Sequence, residues 1–188
     1  MMPESDVDIS QVKGNASPEV KRALLSSLQS MQPNNVSRST GKPFRGFGAQ
    51  FVSRMQITEA SVLPMTEEPE KFEGRVVFEM IVDEDMLNGA GNMHGGCLAM
   101  MIDTCSTAPF YVLGAATRGQ GVFGVSQSLN IVYHSPALPG DKLRIVNTTL
   151  ALGSRALSSR CEVWSVTRHR LVASAVHINM VPSESSKL

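Results

Sequence analysis

Asn88-Gly89-Ala90-Gly91-Asn92-Met93-His94-Gly95-Gly96-Cys97-Leu98-Ala99-Met100-Met101-Ile102-Asp103-Thr104-Cys105-Ser106-Thr107-Ala108 joins a glycine-rich turn directly to an apolar run. From Gly95 to about Ala108 the run is rich in Ala, Met and Leu, which favours helix. Pro109 should kink or end that helix, and Gly114 should close the segment. Between Gly95 and Thr117 the only Asp, Glu, Lys, Arg or His is Asp103. A carboxylate buried in such a helix is costly unless paired, so a sequence that keeps one there has a use for it. The first N–H groups of the helix lack intrahelical partners and sit at the positive end of its dipole. With Gly95 and Gly96 at that end, the backbone can come close to an anion or to a carbonyl oxygen that turns negative during reaction.

Outward from this helix the pattern changes to strand. Residues 51–63 and 74–82 precede it, and 122–134, 142–152, 157–167 and 171–181 follow, with the β-branched, alternating character of half-buried strands. Short turns at Pro139-Gly140-Asp141, Gly153-Ser154 and Arg168-His169-Arg170 separate the last of these, as in an antiparallel meander. One long helix among five or six antiparallel strands defines an α+β fold, with the apolar helix buried and the sheet wrapped about it. Upstream, Ser17-Pro18-Glu19 reads as a helix start that runs to about Met31. Residues 1–48 thus form an extension with a short helix, 49–182 the main domain, and 183–188 a polar tail.

The whole-chain balance excludes other classes. Of 188 residues, 17 are basic and 17 acidic, for a formal net charge of zero, and no basic cluster provides the footprint of a nucleic-acid binder. Cys97, Cys105 and Cys161 have neither CxxC spacing nor an even count, so they read as buried free thiols rather than a zinc site or a disulfide framework. No metal site is expected. No uninterrupted apolar run approaches the ~20 residues that span a bilayer. The chain ends in Ser186-Lys187-Leu188, a peroxisomal address read by the import receptor. A peroxisomal matrix location is therefore expected.

Asn88, His94-Gly95-Gly96 and Asp103 together resemble the signature of hotdog-fold thioesterases of the phenylacetate-pathway and thioesterase-superfamily-member-2 type. The strand Gly124–Ile131, the Ser135-Pro136-Ala137 turn, Gly140-Asp141 and Gly153-Ser154-Arg155 continue the resemblance, which covers about residues 49–182. It implies a curved antiparallel sheet around one central helix, dimers paired edge to edge, and hydrolysis of a fatty or aryl acyl-CoA. It also implies roles: Asp103 as general base or nucleophile, Ser126 as the hydroxyl that orients it, Gly95 as N–H donor to the thioester oxygen, and Asn88 as an assisting amide. His94 belongs to the motif and is expected to organise the loop. For the coenzyme A moiety the resemblance points to Gly153, Ser154 and Arg155, and more weakly to Ser128 and Tyr133. No cofactor is expected beyond coenzyme A as part of the substrate.

Nine helical residues between His94 and Asp103 make two and a half turns, so the two positions face nearly opposite ways. A site that uses both is easier to build from two chains, as a homodimer or a dimer of dimers. Two other readings compete. A hotdog enoyl-CoA hydratase would carry a His a few residues after the Asp, and none follows Asp103. A non-catalytic acyl-binding hotdog protein would have no need of Asn88, Gly95, Asp103 and Ser126 together.

Overall fold

The structure, a computed structural model, describes residues 7–33, 35–36 and 41–182. The expected peroxisomal address at 186–188 lies outside them. Helix α1 spans Pro18–Ser30, with Ser17 as its N-cap accepting from Val20 N–H at 3.4 Å and Pro18 in the first turn. Leu24 and Leu28 of α1, with Val12 ahead of it, are buried in the main core.

Six strands form one antiparallel sheet: β1 Gln56–Pro64, β2 Phe72–Ile81, β3 Val125–Tyr133, β4 Lys142–Leu152, β5 Ala156–Ser165 and β6 Arg170–Met180. Their order across the sheet is β1-β2-β4-β5-β6-β3. Registers Phe78↔Ile145, Ile145↔Val163 and Val163↔Ala173 put a continuous row of buried apolar side chains on one face. Against that face lie α3, Gly95–Cys105, and α4, Ala108–Arg118, which contribute Met101, Ile102, Cys105 and Phe110 to the interior. Full burial of side chains this size stabilises the fold by about 1.5–3 kcal/mol each.

Three sequence expectations change. Residues 51 and 52 belong to a short helix, α2 Ala49–Val52, and β1 starts only at Gln56. Gly48 opens α2 with φ +73, and a Cβ there would sit 2.1 Å from Met100 Cε; a left-handed start followed by a turn takes Phe51 and Val52 out of the strand. Second, Pro109 begins a helix rather than ending one: it occupies the first turn of α4, where its missing N–H costs nothing. Gly114 is then mid-helix, packed so closely on Val122 that a Cβ would lie 2.7 Å from its methyl, and α4 ends at the left-handed Gly119.

Third, the central helix is not buried all round. Cys97, Leu98, Met101, Ile102 and Cys105 face the sheet, while Ala99, Met100, Asp103 and Thr104 remain partly exposed. The run Gly95–Arg118 is 24 residues long and apolar enough, by length and composition, to match a membrane span. That is longer than any apolar run expected from the sequence. Its apolar face packs against the chain's own sheet as core.

Candidate active site

The glycine-rich turn before α3 is held by its own side chains. Asn88 Oδ1 accepts from Ala90 N–H at 2.9 Å and Asn92 N–H at 3.2 Å, so its oxygen is committed to the turn. Its amide nitrogen has no partner among the described residues. Met93 N–H donates to Ala137 O and His94 N–H to Met86 O, which fixes where the helix begins. His94 is the N-cap: its Nδ1 accepts from Gly96 N–H at 2.9 Å. The Gly96 donor is thereby occupied, whereas Gly95 N–H has no acceptor among the described residues. On the other side of Gly95, Tyr133 donates its hydroxyl to the Gly95 carbonyl at 3.0 Å, tying β3 to the helix start.

Two turns further along, the Asp103 carboxylate meets two strands. Ser126 of β3 donates to Asp103 Oδ1 at 2.8 Å. His177 of β6 places Nε2 3.4 Å from the same oxygen. Behind it, Ser106 at the end of α3 contacts His177 Nδ1 at 2.7 Å, and Asn179 Nδ2 lies 3.2 Å from Nε2. His177, Ser106 and Asn179 are fully buried. Burial holds the His177 imidazole below its usual range, with Asp103 pulling the other way, so the ring is neutral at neutral pH. One neutral tautomer suits Asp103 best: with Nε2–H toward Asp103, Nδ1 accepts from the Ser106 hydroxyl, and an Asn179 amide rotated to exchange Nδ2 for its unpartnered Oδ1 would accept from Nε2–H as well.

Asp103 itself is not buried. Its side chain is 48 % exposed where His177 is 0 % exposed. The sequence expectation of a buried carboxylate is corrected by the geometry of β3, whose residues are exposed or half-buried throughout and leave this flank of α3 open. The charge is therefore anchored from behind by a buried imidazole and open in front. Two cavities of about 790 Å³ each lie elsewhere, one between α1 and β1–β2 and one at the far end of β2, and neither includes Asp103. In one chain the carboxylate is half exposed on the flank beside β3.

The remaining residues singled out by sequence are dispersed. Ser128 is exposed on β3, beside a bulge that falls between Ser126 and Ser128. Gly153, Ser154 and Arg155 form the turn between β4 and β5, with Arg155 exposed and Gly153 N–H bonded to Ala156 O at 3.0 Å. The three thiols are free and buried. Burial pushes Cys97 up to about 11 and Cys105 and Cys161 upward as well, so none supplies a thiolate nucleophile near neutrality.

Sequence reasoning passed over His177, Asn179 and, as a partner of that ring, Ser106. A signal was available: in Ala173-Ser174-Ala175-Val176-His177-Ile178-Asn179 the two polar residues fall in phase with Ala173 and Ala175, at core-facing positions of a strand.

An antiparallel sheet packed on one long helix, with an Asp in that helix and a glycine-rich turn before it, defines a hotdog-fold thioesterase. Residues 90–172 match the Thioesterase superfamily, and the chain belongs to that family. It is 31% identical over 104 residues to acyl-coenzyme A thioesterase 13 of Homo sapiens, an alignment covering 55% of this chain and 71% of the relative. Among solved structures, thioesterase superfamily member 2 of zebra fish superposes with a TM-score of 0.60 at 27% identity, covering 73% of this chain and 88% of that one. A hypothetical thioesterase of Streptococcus pneumoniae, solved with coenzyme A, gives a TM-score of 0.51 at 25% identity over 60% of this chain and 85% of that one.

Proposed function

We propose that this thioesterase hydrolyses an acyl-coenzyme A to the free acid and coenzyme A, with Asp103 as general base or nucleophile. The observation that carries the reading is the half-exposed Asp103 carboxylate, gripped by Ser126 at 2.8 Å and backed by the buried His177 at 3.4 Å. As base, Asp103 takes a proton from water while the oxygen attacks the thioester carbon; as nucleophile, it forms an anhydride that water opens. Either way the C–S bond breaks and the coenzyme A thiolate leaves; in the general-base route the proton Asp103 took from water can pass to it, and in the nucleophile route its proton comes from solvent. The negative carbonyl oxygen needs a donor, and Gly95 N–H, unspent at the positive end of α3, has the right chemistry. Coenzyme A as the leaving group is supported by the two relatives whose names carry it. Gly153, Ser154, Arg155 and Ser128 are the proposed contacts for that moiety.

One chain does not bring these parts together. Eight residues of helix separate Gly95 from Asp103, about 12 Å along the axis, whereas reacting groups must lie within about 3–3.5 Å of one carbon. We therefore assign the donor and the carboxylate of each site to different chains of a homodimer, or of a dimer of dimers. The structure also supplies the His that a hydratase reading lacks in sequence, but His177 is wholly buried and only Asp103 can touch a substrate. That favours hydrolysis. A peroxisomal matrix location is a further proposal, supported by the Ser186-Lys187-Leu188 motif; an N-terminal fluorescent fusion that stays peroxisomal without Leu188 would overturn it.

The test of the chemistry is Asp103→Asn with thiol release from acyl-CoA as readout. Turnover should fall about 10²- to 10⁴-fold, as for loss of a general base, and further if Asp103 is the nucleophile. Ser126→Ala should cost less. Because Asp103 is half exposed, the melting midpoint of Asp103→Asn should change little. Turnover near the wild-type rate would end the proposal.

A further inference from the structure

One guanidinium ties the end of α4 to the turn between β4 and β5. Arg118, in the last turn of α4, donates from Nη2 to the Leu152 carbonyl at 2.5 Å and to the Gly153 carbonyl at 3.2 Å. A guanidinium presents five N–H donors in a planar fork. A single nitrogen serves both carbonyls here, so the donors on Nε and Nη1 have no acceptor among the described residues, and the side chain is exposed.

Two residues beyond Gly153 stands a second guanidinium. The Arg155 side chain is exposed and has no partner among the described residues, while its carbonyl accepts from Val181 N–H at 2.8 Å. The turn is tight: Gly153 N–H donates to the Ala156 carbonyl at 3.0 Å, and a Cβ on Gly153 would lie 2.6 Å from that oxygen. Residues 113–125, 149–157 and 178–182, which run through this corner, contain these two arginines and no Asp or Glu. Two like charges held at one turn without a carboxylate repel each other in the free protein and attract an anion.

The corner lies within reach of Asp103. Ser126, which bonds to Asp103, stands in one cross-strand row with Asn179 and Leu157, and Arg155 is two residues before Leu157. Two strand spacings of about 4.8 Å and two rises of about 3.3 Å put the Ser126 and Arg155 Cα atoms about 12 Å apart. The pantetheine arm of coenzyme A, about a dozen bonds advancing about 1.2 Å each, spans about 15 Å when extended.

We propose that Arg118 and Arg155 together bind a phosphate group of coenzyme A, with Arg118 approaching it from the helix side of the turn. The inference rests on the reading of the substrate as an acyl-coenzyme A. Arg155 is among the contacts proposed above for that moiety; Arg118 is a second cation, delivered by α4 to the same turn. With Nη2 fixed on the two carbonyls, Nε and Nη1 of Arg118 can donate to two phosphate oxygens side by side, which a lysine ammonium cannot match.

The experiment compares one acyl group on three carriers: coenzyme A, dephospho-coenzyme A and pantetheine, the last without phosphate. kcat and KM are measured for wild type, Arg118→Gln, Arg118→Lys and Arg155→Gln. Arg118→Gln should raise KM for acyl-CoA about tenfold relative to acyl-pantetheine, the scale of one charge-assisted hydrogen bond, while kcat changes alike for both. Arg155→Gln should do the same, and Arg118→Lys, which keeps the charge but not the fork, should fall between. The dephospho substrate reports which phosphate is held: it follows acyl-pantetheine if the 3′-phosphate is bound, and acyl-CoA if the diphosphate is. An Arg118 that only ties the turn would alter all three carriers equally. Because Arg155 is exposed, its variant folds even if Arg118→Gln does not. Calorimetric titration with coenzyme A separates the two layers of the argument. If no acyl-CoA is hydrolysed, the hydrolytic reading fails, yet coenzyme A binding weakened about tenfold in either variant supports the site. An unchanged KM for acyl-CoA in both variants, an equal rise for acyl-pantetheine, or no binding of coenzyme A by wild type overturns it.

Discussion

The two edges of the sheet are treated in opposite ways. At the β1 edge, residues 12–16 lie alongside as a short cap: Lys13 N–H donates to Thr58 O at 2.9 Å, and Ala60 N–H donates to Lys13 O at 3.0 Å. Asn15 adds a clamp, its side chain bonding both Val62 N–H at 2.7 Å and Val62 O at 2.8 Å. Lys21 then ties the cap to α1 through Val12 O and Gly14 O. At the β3 edge no described segment covers the strand. Val125, Val132 and Tyr133 are more than half exposed there, and Val125–Tyr133 carries neither a charge nor a proline. Charges, prolines and caps are the devices that keep a sheet edge from pairing. The chain spends one on β1 and none on β3. The open edge also carries Ser126 and Tyr133, which touch the two ends of the proposed machinery, so under the proposed dimer pairing through β3 and completing the site are one requirement.

The sharpest way to break this contrast is to give β3 the protection it lacks. Asn130→Lys with Val132→Lys, both at exposed positions, should prevent pairing and yield a monomer by light scattering. Since the monomer lacks a donor near Asp103, turnover should fall about 10²-fold or more. A fully active monomer would separate the edge from the site.

Opening the other edge should act on stability instead. Gly14 has φ +96, and a Cβ there would lie 2.3 Å from the Ala60 carbonyl oxygen. Gly14→Val must therefore distort or detach the cap. A strained backbone of this kind costs about 1–3 kcal/mol, which lowers the melting midpoint of a domain this size by about 2–12 °C. Larger assemblies should grow through the uncovered β1, with turnover per folded chain preserved. A variant with an unchanged midpoint and assembly state would show that residues 12–16 cap nothing that matters.

The contrast was only half legible in the sequence. The meander was plain because Lys142–Leu152 alternates apolar and polar residues between turn signals, and the structure starts and ends β4 at the residues the pattern names. The helix around Asp103 was legible from composition, but its relation to Pro109 was not. A proline that ends one helix and one that begins the next look alike until the preceding turn is seen. His177 stayed hidden because its chemistry depends on Asp103, 74 positions away, reached only when β6 folds beside α3. The exposure of Asp103 followed from the open flank beside β3, which no local pattern encodes.

The central claim is that the helix start of one chain serves the carboxylate of another. Gly95 is the first residue of α3 and follows an extended His94, so Gly95→Pro removes the free N–H while the helix still starts. Alone it should lower turnover about 10²- to 10³-fold, like the loss of one oxyanion donor. Co-expressed in equal amounts with Asp103→Asn, it should pair at random, leaving half the dimers mixed. Each mixed dimer then joins the intact Gly95 of one chain to the intact Asp103 of the other in one of its two sites. The account predicts recovery to about a quarter of wild-type turnover per chain. Activity no higher than the mean of the two single variants would place both groups of each site in one chain and contradict it.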